Sequence, residues 1–349
     1  MRRRLVIAAG ILLALLGVAL SAGGAYAYFW DSDRVDLIAP GVVVAGVDVG
    51  GLDTAQAQAR LRDRVVGALE RPVRLTYGAR SFVVGPQQAG LRVDLDRMLA
   101  IALTESRRGG LAARFLRHLE GRRVHVSVPL EAGVSPAALG RVADDVAAVI
   151  DRPARSAKVV PTSLALRIVP ERLGVAVRRD TLERALARAV LDRSGTRTIA
   201  VPTRPVRPRW TAETLRKRYP AYLLVDRAEY KLRLFRNLKL AKTYSIAVGR
   251  AGLETPAGLY RIDDKQVDPS WHVPNSAWAG SLAGRIIPPG PADPIKARWM
   301  GFWNGAGIHG TDETWSIGHS ASHGCIRMLI PDVIQLYSLV PLNTPIYVG

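Results

Sequence analysis

The residues best suited to chemistry stand close together, as Ile308-His309-Gly310-Thr311 and then Ser320-Ala321-Ser322-His323-Gly324-Cys325-Ile326-Arg327-Met328. Three of the six histidines and the only cysteine fall within seventeen positions of a Gly/Ser-rich stretch. A thiol acts as a nucleophile through its thiolate, and a free cysteine with a pKa near 8.5 is mostly protonated at neutral pH. It therefore needs an imidazole to take the proton and an electropositive setting to hold the charge. Gly324 lets the backbone turn sharply in front of Cys325. Main-chain N–H groups at such a turn can receive a developing oxyanion, worth on the order of 3 kcal/mol per donor in acyl transfer. In an extended segment Arg327 shares a face with Cys325, where it would bind a carboxylate or support the thiolate. His309, His319, His323 and Cys325 could instead ligate zinc, but no H-E-x-x-H pattern accompanies them and the nearby carboxylates are only Asp312 and Glu313. The expectation is thiol chemistry with no metal and no cofactor.

These residues need a scaffold, and from about Tyr219 the texture is that of β structure. The spacing predicts a hairpin from 222–226 and 231–235, a third strand over 242–248, and a helix over 331–339 with Pro331 in its first turn. Turn residues are dense at Thr255-Pro256-Ala257-Gly258, Pro288-Pro289-Gly290-Pro291 and Asp293-Pro294. Upstream, residues 41–202 contain a faint duplication. Segments 43–69 and 124–150 each read as strand, Gly-containing turn and Ala-rich helix, with Asp53 and Ser135 at the N-caps. Arg71-Pro72-Val73-Arg74 recurs as Arg152-Pro153-Ala154-Arg155 ahead of a hairpin, and each copy closes with an amphipathic helix, near 95–107 and 179–193. Two tandem α+β modules follow. His118 and His125 are isolated and read as surface or packing residues. A Pro-rich stretch, 203–218, reads as a linker.

At the N-terminus, Met1-Arg2-Arg3-Arg4 precedes an uncharged run from Leu5 to Trp30, long enough at helical rise to cross a hydrocarbon core of about 30 Å. The arginines place the N-terminus in the cytoplasm and the body outside, with Tyr26, Tyr28, Phe29 and Trp30 at the outer interface. Ala25-Tyr26-Ala27 also fits a cleavage site, which would release the body by secretion. In an exported chain, a single cysteine cannot form an internal disulfide, so Cys325 is either an inert thiol or a reactive one. The net charge of +19 is spread along the chain and only 6% of residues are aromatic, which argues against nucleic acid as a partner. The charge suits a solvated surface, or attraction to anionic lipid or acidic wall polymers.

The pair His309-Gly310-Thr311 and Ser322-His323-Gly324-Cys325-Ile326-Arg327-Met328 resembles the signature of the L,D-transpeptidase (YkuD-type) family over about 130 residues, 219–349. Thr255-Pro256-Ala257-Gly258 is similar to the family's T-P-x-G turn, and 340–348 fits its C-terminal segment. The region containing Gly46-Val47-Asp48-Val49-Gly50-Gly51-Leu52 more weakly resembles the peptidoglycan-binding modules found ahead of such domains. The implied architecture is α+β and multidomain: a stub and transmembrane anchor at 1–30, the duplicated region at 41–202, the linker at 203–218 and a mainly β catalytic domain at 219–349. The resemblance implies that Cys325 attacks the carbonyl of the third, L-configured diamino-acid centre of a donor stem peptide, expels D-alanine and leaves a thioester. An amine of an acceptor stem then resolves it as a 3→3 crosslink. His309 is the implied base, oriented by the Gly310 carbonyl, and His323 has a supporting role. Gly324 and Cys325 supply oxyanion amides, while Arg327, Ser322 and Thr311 contact substrate. An L,D-carboxypeptidase, in which water replaces the amine, and a non-catalytic wall-binding scaffold are the alternatives.

Overall fold

The computed structural model describes residues 2–349; Met1, the first residue of the expected stub, lies outside them. The chain divides into two compact units, one of Met1–Asp151 with Val175–Arg204, the other of Arg152–Gly174 with Pro205–Gly349. In the first, a helix runs from Arg2 to Ser32. Its Gly10–Ser32 portion, with mean hydropathy 1.8, is long and apolar enough to cross a membrane, as an anchor or a signal sequence would be.

The expected caps are present. The Asp53 carboxylate accepts from the Gln56 N–H at the head of Thr54–Leu61, and the Ser135 hydroxyl accepts from Ala138 at the head of Pro136–Ile150. Satisfying these otherwise orphaned amides fixes where each helix begins. The closing helices are Leu95–Ser106 and Arg179–Leu191. Strand Val42–Val44 pairs in parallel with Val126–Val128 over a core that includes Ile38, Leu61, Met98 and Leu99. Leu139, Ile150, Leu182 and Leu186 belong to a second apolar cluster in the same unit.

In the second unit a sheet runs, in spatial order, through Gly258–Arg261, Pro345–Val348, Ala221–Asp226, Lys231–Arg236, Lys239–Gly249, Ile326–Leu329, Ala306–Thr311, Lys296–Trp303 and Asp264–Val267, with Ser320–Ser322 paired to the fifth of these. The strand 221–226 is buried at every position. Its alternation explains why: Ala221, Leu223 and Val225 join the main core with Ile308, Ile326 and Val333, while Tyr222 and Leu224 pack with Leu215 and Ala157 on the other side. Val159, Leu166 and Ile168 of the hairpin 158–169 complete that second layer. Helix Ile330–Leu339 carries Pro331 in its first turn and sends Val333 and Leu336 into the core.

The stretch expected as a linker is more ordered than its prolines suggested. It holds a strand, Thr203–Val206, and a helix, Ala212–Arg218, in which Thr211 and Thr214 form a reciprocal capping box. Pro205 is compatible with strand geometry where its missing N–H is not required.

Candidate active site

Cys325 sits at the end of a tight turn that enters the strand Ile326–Leu329, and His309 lies on the neighbouring strand Ala306–Thr311. The two strands are parallel, with Ile308 opposite Ile326 and His309 opposite Arg327. Side chains alternate along a strand, so positions 325 and 327 share a face with 307 and 309. The thiol and the imidazole are thus one diagonal step apart, and both line one cavity of about 810 Å³.

The turn needs its glycine: Gly324 has φ of +117°, a region in which L side chains are strained. Ser322, 1% exposed, staples the turn, because its hydroxyl donates to the Cys325 carbonyl and accepts the Gly324 N–H at 3.2 Å. The two amides expected to form an oxyanion pair are placed differently. The Gly324 amide is already engaged, whereas the Cys325 amide has no protein acceptor among the described residues. The Ser322 hydroxyl is committed to main chain, and the residue also lines the cavity. Thr311 is 2% exposed, its hydroxyl accepts from Glu313 N–H at 3.1 Å, and it is not part of the cavity wall. That bond holds the loop that carries Glu313.

His309 is 5% exposed and its Nδ1 lies 2.8 Å from the Gly310 carbonyl. A carbonyl only accepts, so Nδ1 carries the proton and Nε2 is the basic nitrogen. Burial, opposed by that hydrogen bond and reinforced by the Arg327 charge, lowers the His309 pKa from 6.5 to about 4. The ring is therefore neutral at physiological pH. Trp299, directly opposite in the next strand, stacks on it with ring centroids 6.2 Å apart. Gly307 permits this cover, since an added Cβ would fall 2.4 Å from the Trp299 ring.

Burial pushes the Cys325 thiol up, against the pull of the Gly307 main chain and the Arg327 charge. The thiol lies 3.8 Å from the Gly305 carbonyl. Arg327 acts on both partners in the useful sense, disfavouring imidazolium and favouring thiolate. Its own guanidinium is held by Glu313 at 2.6 Å.

Residues 220–348 match the model of the family described as "L,D-transpeptidase catalytic domain", and residues 82–198 match that of the "Putative peptidoglycan binding domain". The Bacillus subtilis "Putative L,D-transpeptidase YqjB" is 31% identical over 133 residues, which cover 36% of this chain and 70% of that protein. The chain belongs to the L,D-transpeptidase family. The Bacillus licheniformis "Putative L,D-transpeptidase YkuD" is 37% identical over 114 residues, 32% of this chain and 56% of that protein. The match thus spans 56% to 70% of these relatives' length. Among solved structures, the catalytic domain of an Enterococcus faecium L,D-transpeptidase is similar at 25% identity and a TM-score of 0.31, covering 37% of this chain and 96% of that one. An L,D-transpeptidase from Mycobacterium smegmatis is similar at 16% identity and a TM-score of 0.32, covering 37% and 58%.

In this L,D-transpeptidase family member His323 also lines the cavity, and its ring stacks on Trp278 at 4.2 Å between centroids. Burial, with the charges of Arg250 and Arg327, lowers its pKa, so it too is held towards neutrality. Thr255 of the T-P-x-G turn is fully buried and accepts the Gly249 N–H at 2.9 Å, fixing the stretch from which Glu254 and Pro256 reach the cavity wall. His319 is not part of that wall. The residues that sequence reasoning missed are aromatic: Trp271, Trp278, Trp299 and Trp303 all line the cavity. Their signal was present, because five of the seven tryptophans fall between positions 271 and 315.

Proposed function

We propose that the chain is a peptidoglycan L,D-transpeptidase that forms 3→3 crosslinks through a thioester on Cys325. The observation that carries this reading is a thiol on a left-handed glycine turn, facing the same cavity as a neutral imidazole whose Nδ1–H is tied to a carbonyl. As the donor carbonyl closes on Cys325, His309 Nε2 takes the thiol proton and Sγ bonds to the carbonyl carbon. The Cys325 N–H receives the oxyanion. Collapse breaks the C–N bond to the terminal D-alanine, whose amine takes the proton back from His309. An acceptor amine then attacks the thioester, its proton passing through the imidazole to the departing sulfur. Arg327, with Glu313, orients the donor, and His323 on its Trp278 platform forms the side of the entrance.

The duplicated region 41–202 holds the enzyme to glycan or acidic wall polymer. This is supported by the match at 82–198 and by the order two short strands, helix, hairpin, short strand, helix, which occurs twice along the chain. The helix 10–32 anchors the body outside the membrane with its N-terminus in the cytoplasm; Ala27, in the candidate cleavage site, is helical and only 7% exposed.

Incubation with a disaccharide-tetrapeptide donor, with and without an added acceptor amine, tests the reaction. The expected products are D-alanine and the amine-linked dimer, both absent with Cys325→Ala. Release of D-alanine with only a tripeptide product, whatever the amine concentration, would assign an L,D-carboxypeptidase instead. No release at all from a folded enzyme would leave a wall-binding scaffold.

A further inference from the structure

The helix Leu111–Leu119 has no buried residue, yet it is tied firmly to one place on the N-terminal helix. Phe115 packs edge-on against Tyr26 and Trp30, with centroids 5.9 and 5.5 Å apart, and His118 lies 4.7 Å from Trp30. Arg114 donates to both oxygens of Asp31 at 2.8 and 2.7 Å, and Arg107 joins at 2.9 Å. All these contacts fall between Tyr26 and Asp31, an axial distance of about 8 Å at helical rise, next to the end of the apolar span at Ser32. If the span crosses a bilayer, the short helix is held at the depth of the headgroup and acyl boundary. About 100° of helix rotation away from the Phe115–His118 face stand Leu116 and Leu119, 54% and 64% exposed. Tyr28 and Phe29 are 63% and 65% exposed on the partner helix. Arg108, Arg122 and Arg123 are exposed just beyond the two ends of the short helix. Arg108 and Arg122 pair with Glu105 and Glu120 at 3.0 and 2.7 Å, surface pairs of the kind that contribute little and exchange readily.

We infer that Leu111–Leu119 is an interfacial helix that inserts Leu116 and Leu119 into the outer leaflet, with the flanking arginines on anionic lipid phosphates. The chemistry is that of an amphipathic helix lying in the membrane plane, basic at its rim and apolar below. Its consequence is a fixed depth for the first module relative to the membrane, since the ion pairs on Asp31 prevent free swivelling about the anchor. The inference rests on reading 10–32 as an uncleaved anchor, so its test must register that reading separately.

The test uses the full chain carrying Cys325→Ala, reconstituted in nanodiscs of phosphatidylcholine and phosphatidylglycerol. Nitroxide labels are placed singly through Leu16→Cys, Leu116→Cys or Leu119→Cys. Power saturation then compares collisions with lipid-dissolved oxygen and with a water-soluble nickel chelate. All three labels are expected to favour oxygen several-fold, and the ratio at 116 and 119 to drop at least two-fold in discs without phosphatidylglycerol. Lipid exposure at 16 with water exposure at 116 and 119 overturns the interfacial helix and leaves the anchor standing. Water exposure at 16 overturns both. Shielding of 116 from both reagents puts a second copy of the chain on this face and also overturns it, and an unchanged ratio without anionic lipid removes the phosphate contact.

Discussion

Cys325 and His309 are shifted in directions that oppose a resting ion pair, the thiol upwards and the imidazole down to about 4. Both effects begin with burial, which penalises whichever form is charged. Without substrate, both groups are therefore favoured in their neutral forms. Two consequences are measurable. Acylation by donor should persist through pH 5–6, where an ordinary histidine would be protonated, and fall only as pH approaches about 4; its rate against pH at saturating donor checks this. Replacement of Gly324 by Ala puts a Cβ on a backbone at φ of +117°, a strain of about 1–2 kcal/mol that the turn relieves by moving the thiol. A loss of acylation rate of about a hundredfold or more, with a small fall in Tm, is expected. At this scale part could be read in advance: residue types and spacing single out Cys325 as a candidate nucleophile with imidazoles near it, whereas His309 as base and the Gly310 carbonyl as its orienter were implied by the resemblance to the family signature. What was hidden is the direction of N–H groups, because whether the Gly324 amide is free depends on the Ser322 hydroxyl and not on Gly324 itself.

Elements place these groups by register. Parallel pairing of 306–311 with 326–329 brings His309 opposite Arg327, and a slip of one residue would turn the imidazole to the other face. The Trp299 and Trp278 rings then bracket the two histidines from different elements, the strand 296–303 and the short helix Ala277–Leu282. Trp278→Ala should free the His323 ring and raise KM for donor about tenfold while changing kcat less, as steady-state kinetics on the tetrapeptide would show. Strands 221–226, 231–236 and 239–249 and the helix 330–339 were visible in the sequence because alternation and Pro331 mark them. The strand 296–303 was not: Lys296-Ala297-Arg298-Trp299 alternates, but Pro294 just ahead and Gly301 within interrupt the pattern, and the strand is held by pairing on both sides. The strand within 203–206 was masked by its prolines in the same way.

For the molecule as a whole, the buried His309 imidazole makes stability depend on pH. The folded His309 value near 4 lies below the ordinary 6.5, so the unfolded chain binds the proton more readily. Its contribution to stability is intact above 6.5, declines as pH falls from 6.5 towards 4, and changes no further below that. The full span corresponds to about 3 kcal/mol, which His309→Gln should largely remove from the difference between urea unfolding at pH 7 and pH 4.5. Whether Cys325 becomes acylated is decided by intact-mass spectrometry after incubation with a tetrapeptide donor at pH 5.5. The expected result is a mass increase of the donor minus D-alanine, mapped to the peptide containing Cys325 and strongly reduced by His309→Gln. An unmodified Cys325 in folded enzyme, or an adduct that survives Cys325→Ala, would contradict it.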